Sequence, residues 1–179
     1  MSEALIVGRG KWAANIAAAI SSARGGAFGG TYVGQEATVN AALIKRYDAV
    51  FIASPASTHA VLARTCIEAK APTFCEKPFV TNLHDAEILF DLWLSNGCPI
   101  FLVDHTQLFN REVQLFRNYI DPALIDEVVV RAKGPGPIRA DCSGLWDWGA
   151  HAVALVLHAL GTTTAPIINA ILVTGPVQD

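Results

Sequence analysis

The apolar run Ala4-Leu5-Ile6-Val7 is closed by Gly8-Arg9-Gly10 and followed by a helix-like stretch from Lys11 to Ser22, and no other part of the chain limits the fold as tightly. Strand, tight glycine turn and helix in that order open a βαβ unit, and Gly8, Gly10 and Ala13 match the spacing of a dinucleotide-binding turn. Gly8 permits the turn, Gly10 removes a Cβ where a diphosphate must approach, and Ala13 lets the helix pack close to the strand. The helix N-terminus then offers amide donors and a positive dipole end to phosphates. A tight turn with no ligand is the plainer alternative.

The same alternation continues. Asp48 to Ala53 reads as a buried parallel strand ended by Ser54-Pro55, with a helix from about Ser57 to Ala69. Thr73-Phe74-Cys75 delivers Glu76-Lys77-Pro78 to a strand end, and Thr81 or Asn82 caps a helix stopped by Gly97. Pro99 to Val103 is a further strand, leaving Asp104-His105-Thr106 at its carboxyl end. Strands alternating with helices predict an α/β fold with a doubly wound parallel sheet. Residues 24–36 fit this scheme poorly. A ribose-binding acid belongs about 20 residues past the glycines, yet no Asp or Glu precedes Glu36, and Arg24 suits either a 2′-phosphate or a solvated loop. A short helix is expected from Ala37 to Arg46.

Beyond residue 106 the pattern changes. Arg111 to Ile120 reads as helix, Glu127 to Lys133 as strand and Gly134 to Pro137 as a rigid loop. Trp146-Asp147-Trp148-Gly149 leads into an apolar helix ending near Leu160 with Gly161 as its stop, and Ile167 to Val173 is a last strand. The expected division is therefore residues 1–106 as a dinucleotide-binding domain and 107–179 as a reduced α+β domain.

Hydrophobic residues make up 52% of the 179, and the mean hydropathy of +0.36 is high for a soluble chain. No run reaches the roughly 18 apolar residues that span a bilayer, so the excess is read as core plus a self-association surface. A net charge of −3 gives no basic footprint for nucleic acid. Met1-Ser2-Glu3-Ala4 lacks the basic start of a signal peptide. Cys66, Cys75, Cys98 and Cys142 are irregularly spaced, unlike a metal site or disulfide scaffold, which suits reduced thiols in the cytoplasm.

Together these motifs resemble the glucose-fructose oxidoreductase / inositol dehydrogenase (Gfo/Idh/MocA) family. The matching pieces are Val7 to Ala13, Asp48 to Pro55, Cys75-Glu76-Lys77-Pro78 and Leu145 to His151, in the family's order and over roughly residues 4–173. The resemblance implies a Rossmann domain joined to an α/β domain whose open sheet often mediates oligomers, here a homo-oligomer through the C-terminal sheet. It also implies an oxidoreductase that uses NAD or NADP on sugars, inositols or nucleotide sugars. Cofactor contacts are then expected from Gly8, Arg9, Gly10, Lys11 and Trp12, from Ser54 and Pro55, and from Glu76 and Lys77, with His59 lining the cleft. Two departures stand out: the compressed residues 24–36, and a length well below that of other members.

Oxidising a carbinol requires a base for the hydroxyl proton while the nicotinamide takes the hydride, and histidine titrates in the right range. Asp147 and His151 are four residues apart and share a face if both are helical. His151 or Lys77 is the expected proton acceptor, with Asp147 orienting His151 or holding a substrate hydroxyl. The plainer readings are a helix cap for Asp147 and a core histidine for His151. His105, Arg139 and Trp148 are the expected substrate contacts, Arg139 through a phosphate or carboxylate, with a loop histidine and a surface ion pair as the plainer readings of His105 and Arg139. No metal is expected. The rival reading is a non-catalytic dinucleotide-binding or regulatory protein, or a degenerate family fragment.

Overall fold

Leu5, Ile6 and Val7 have no exposed surface, because they form an interior strand covered on both faces, β1 (Glu3–Val7). The computed structural model describes residues 3–23, 29–33, 38–131 and 139–161. Its chain divides into two units, Met1–Asp104 and His105–Asp179. In the first, β1 is joined by β2 (Gly29–Val33), β3 (Ala49–Ile52), β4 (Thr73–Cys75) and β5 (Phe101–Val103) in the order β2-β1-β3-β4-β5, every neighbouring pair parallel. The intervening helices are α1 (Lys11–Ala23), α2 (Ala41–Ile44), α3 (Ala56–Glu68) and α4 (Leu83–Ser95). From β1 the chain runs first to β2 on one side and then to β3 on the other, so the strand order reverses between β1 and β3. In doubly wound sheets that crevice is where ligands bind.

Strand alternation sends successive side chains to opposite faces. On one face Leu5, Val7, Val50, Ile52 and Cys75 pack with Leu62 and Cys66 of α3 and Ile44 of α2. On the other, Ile6 meets Ala13 and Ala17 of α1. Full burial of each Leu, Ile or Val contributes about 1.5–3 kcal/mol, and the alanines of α1 are what let that helix lie close to the sheet. Ala63 and Ile67 of α3 pack against Leu89 of α4. Of the two expected caps for α4, Asn82 serves, its Oδ1 accepting from the Asp85 amide at 2.8 Å.

The register aligns the carboxyl ends of four strands. Val7 pairs with Ile52, Ile52 with Cys75 and Cys75 with Val103. The ladder continues one residue further, with the amides of Ala53, Glu76 and Asp104 donating to Val7, Ile52 and Cys75 at 2.8, 2.9 and 2.7 Å. Gly8, Ala53, Glu76 and Asp104 therefore stand side by side along one edge.

The compressed region still yields a second strand, because residues 29–33 pair with β1 over its whole length. Arg24 and Glu36 lie outside the described residues. The helix expected from Ala37 shrinks to α2, because Asn40 caps it, accepting from the Leu43 amide at 3.0 Å.

The second unit contains α5 (Arg111–Tyr119), capped by Asn110, and α6 (Gly144–Leu160), stopped by Gly161 in the left-handed conformation at φ +62°. The strand expected from Glu127 is not formed over residues 127–131. Val128, Val129 and Val130 are exposed there, and no neighbouring strand among the described residues supplies a ladder. Residues 132–138 and 162–179, including the rest of that strand, the Gly-Pro loop and the strand expected from Ile167 to Val173, lie outside the described residues. No described helix is long and apolar enough to cross a membrane.

Candidate functional site

The turn after β1 is built around Gly8, whose φ is +129°. A Cβ there would sit 2.3 Å from the Ala53 carbonyl oxygen, so only glycine allows β1 and β3 to stay in register at this point. Gly10 differs: an added Cβ would meet nothing within 4 Å. The space over Gly10 is open, and the first turn of α1, which carries no acidic side chain, leaves amides without intrahelical partners at its edge. This arrangement fits a diphosphate. Arg9, Gly10, Lys11 and Trp12 are all exposed around it.

At the end of β3, Thr58 Oγ1 donates to the Pro55 carbonyl at 2.8 Å. The 2.7 Å contact between Ser54 Oγ and Thr58 Oγ1 is therefore donated by Ser54. This pair fixes the Ser54-Pro55 loop where α3 begins. His59, expected in the cleft lining, is 1% exposed. Its Nδ1 is 2.8 Å from the Pro78 carbonyl and its Nε2 is 3.0 Å from the Ser54 carbonyl. Both ring nitrogens are thus engaged by backbone, and the ring braces the loops after β3 and β4 from behind. A neutral imidazole donates to one of these oxygens at a time, an imidazolium to both.

After β4, Glu76 is 6% exposed and Asp104, at the end of β5, is 4% exposed. The Glu76 carboxyl is hydrogen-bonded to Asp104. Burial, that bond and the Asp104 charge push its pKa up to about 8, against a smaller opposing pull from the Lys77 amide and ammonium. Lys77 follows half-buried, before a cis bond to Pro78. Behind this edge, burial raises the Cys66 thiol to about 11 and the Cys75 thiol further still, so neither is a ready nucleophile.

In the second unit α6 carries Asp147 and His151 on one face. The cap position belongs to Ser143, not Asp147. The Asp147 carboxylate lies 3.6 Å from Arg139 Nη1, and Arg139 is gripped in two places by Asp141, at 2.9 Å through Nε and 2.6 Å through Nη2. Asp141 is the main reason the Arg139 guanidinium is held firmly cationic. Arg139 is thus held by Asp141 and lies within ion-pair distance of Asp147. The rings of His105 and His151 meet edge to face with centroids 6.2 Å apart. Trp148 is 39% exposed, as is Trp146.

The structure therefore gathers Gly8, Gly10, Ser54, Glu76 and Lys77 along one sheet edge of the first unit, and Arg139, Asp147, His105 and His151 in two contacts of the second. Asp104 and Asp141 were not singled out by the sequence. Asp104 was visible only as an acid at a strand end, and Asp141 only as a neighbour of Arg139.

Residues 17–105 match the family model described as "Oxidoreductase family, NAD-binding Rossmann fold" (GFO_IDH_MocA). Over 83 residues the chain is 50% identical to inositol 2-dehydrogenase 1 of Saccharopolyspora erythraea, a match covering 46% of this chain and 25% of that protein. A solved protein of Magnetospirillum magnetotacticum MS-1, assigned as an oxidoreductase, is 26% identical with a TM-score of 0.71, covering 89% of this chain and 57% of that one. An oxidoreductase of Agrobacterium radiobacter, solved with NAD+, L-tartaric acid and magnesium, shares the fold at 19% identity with a TM-score of 0.68, covering 89% and 55%. The chain thus spans about half the length of these solved relatives and a quarter of the curated one. With the parallel order, the Gly8 turn and the Glu76-Lys77-Pro78 strand end already in place, the matches make the first unit a Rossmann domain of the Gfo/Idh/MocA oxidoreductase family.

Proposed function

We propose that the protein binds NAD or NADP at the carboxyl edge of its first unit and takes part in hydride transfer between the nicotinamide and the carbinol carbon of a sugar, inositol or nucleotide sugar, the carbinol giving up hydride and the matching carbonyl receiving it in the reverse direction. The observation that carries this reading is the open space over Gly10, beside the amides of α1 and in line with Glu76 and Lys77. The inositol dehydrogenase relative supports a polyol substrate. When bound, the nicotinamide supplies the hydride acceptor.

The chain's own groups have separable tasks. The Gly8–Gly10 turn and the start of α1 hold the diphosphate, with Arg9 and Lys11 beside it and Trp12 on the first turn. Ser54 and Pro55 wall the crevice, and His59 keeps that loop tied to Pro78. Glu76 and Lys77 face the nicotinamide end, where Lys77 hydrogen-bonds the reacting hydroxyl and stabilises a developing alkoxide. His151 or Lys77 takes the hydroxyl proton. Asp147, steadied by Arg139, orients His151, and His105, which touches His151, and Trp148 contact the substrate. Oligomerisation and a cytoplasmic setting complete this reading.

The test is a screen of polyols and nucleotide sugars for cofactor reduction, repeated with Lys77→Ala and His151→Ala. Loss of an acid-base group lowers turnover by about 10²- to 10⁴-fold, so both variants should fall by that factor while still binding the dinucleotide. Activity retained in both sinks the assignment. Binding without turnover on any such substrate favours a regulatory dinucleotide sensor.

A further inference from the structure

We propose that Asp104 is a positioning residue for the cofactor loop: its carboxylate shares a single proton with the Glu76 carboxyl across the ends of β4 and β5, and so holds Glu76-Lys77-Pro78 in its binding geometry. This rests on the dinucleotide site proposed above.

Strand register brings the two carboxyl groups together. Cys75 pairs with Val103, and the Asp104 amide donates to the Cys75 carbonyl at 2.7 Å. Two acidic residues remote in sequence are thereby fixed as neighbours on adjacent strand ends, both more than nine-tenths buried. Two carboxylates are acceptors only, so a hydrogen bond between them exists only if one carries a proton. Glu76 is the one whose surroundings retain it. Its Oε1 is buried with no hydrogen-bond partner among the described residues, an atom that would be costly to leave charged there.

The surrounding groups are consistent with one proton on the pair. Lys77 is the nearby cation, and its backbone amide also reaches the Glu76 carboxyl. Cys75 on β4 and Cys66 on α3 are kept as neutral thiols. His59 on α3 contacts the loop at the Pro78 carbonyl, and His105 follows Asp104 in the chain. Loss of the shared proton to solvent replaces an O–H···O⁻ bond with two like charges in contact. Glu76 and Lys77 are adjacent, so the repulsion is delivered directly to the loop.

The experiment is NADH titration across the break near pH 8. If only the protonated pair holds the loop, the competent fraction falls from about 0.9 one unit below the break to about 0.09 one unit above it, and Kd rises about tenfold. In Asp104→Asn and in Glu76→Gln the pair has no second charge to develop, so this rise disappears whatever Kd each variant shows at neutral pH. A rise that persists unchanged in either variant, or a wild-type Kd that is flat across the break, overturns the proposal. Urea unfolding against pH gives an independent readout. In the unfolded chain Glu76 ionises near its ordinary value of 4.5, and in the folded chain near 8. Between these the folded state binds a proton the unfolded state lacks, so this contribution is full below about 4.5 and lost by about 8. Wild type should lose stability relative to Glu76→Gln over that window, and parallel curves overturn the shared proton. Absence of NADH and NADPH binding at every pH would instead overturn the dinucleotide site and the positioning role with it, with the unfolding curves still deciding where the proton sits.

Discussion

An alanine at Gly8 would bring its Cβ to 2.3 Å from the Ala53 carbonyl oxygen at a backbone angle of φ +129°, whereas an alanine at Gly10 would touch nothing. The two glycines of one motif therefore answer to different demands, the first to the fold and the second to a ligand. Gly8→Ala should destabilise by about 2–4 kcal/mol through strain and overpacking, read from the urea midpoint. Gly10→Ala should leave that midpoint within about 0.5 kcal/mol while weakening NADH binding. His59 offers a third contrast: His59→Ala strips partners from the Ser54 and Pro78 carbonyls, for an expected loss of about 1–3 kcal/mol. The glycine motif was legible in the sequence because turn chemistry is local. The Glu76–Asp104 contact and the bracing role of His59 were not, because each depends on which strand ends the register brings together.

The elements divide in the same way. Helices α3, α4, α5 and α6 were readable within a few residues, since apolar spacing, capping asparagines and terminal glycines are written nearby in the chain. Asn82→Ala should cost about 1 kcal/mol by removing the α4 cap, visible as a lower thermal midpoint. The strand expected from Glu127 failed because three successive valines state a preference, not a partner, and residues 127–131 have no neighbouring strand among those described. In α6 the spacing of Asp147 and His151 was readable, but the Arg139–Asp141 grip was not. If that grip orients the Asp147–His151 pair, Asp147→Asn should lower kcat by about tenfold or more without a matching change in NADH Kd, and a change confined to Kd would contradict the assignment.

At the level of the molecule, the first unit was legible because its central strands β1 and β3 are covered on both faces, which favours continuous apolar runs and a regular alternation with helices. The second unit gives a weaker signal. Its main helix α6 is rich in Ala, Val and Leu, yet none of its residues is buried among the described surroundings, so its sequence does not identify what it packs against. The family match likewise rests on residues 17–105, and the proposed chemistry extends beyond them to Asp147 and His151. The carboxyl edge of the first sheet is the proposed dinucleotide site, and titration of the protein with NADH and NADPH while following tryptophan emission decides whether it works as one. Trp12 lies 43% exposed on the first turn of α1, so a bound nicotinamide should quench it saturably, with weaker binding in Gly10→Ala at an unchanged unfolding midpoint. A folded wild-type protein whose emission responds to neither cofactor would contradict the account.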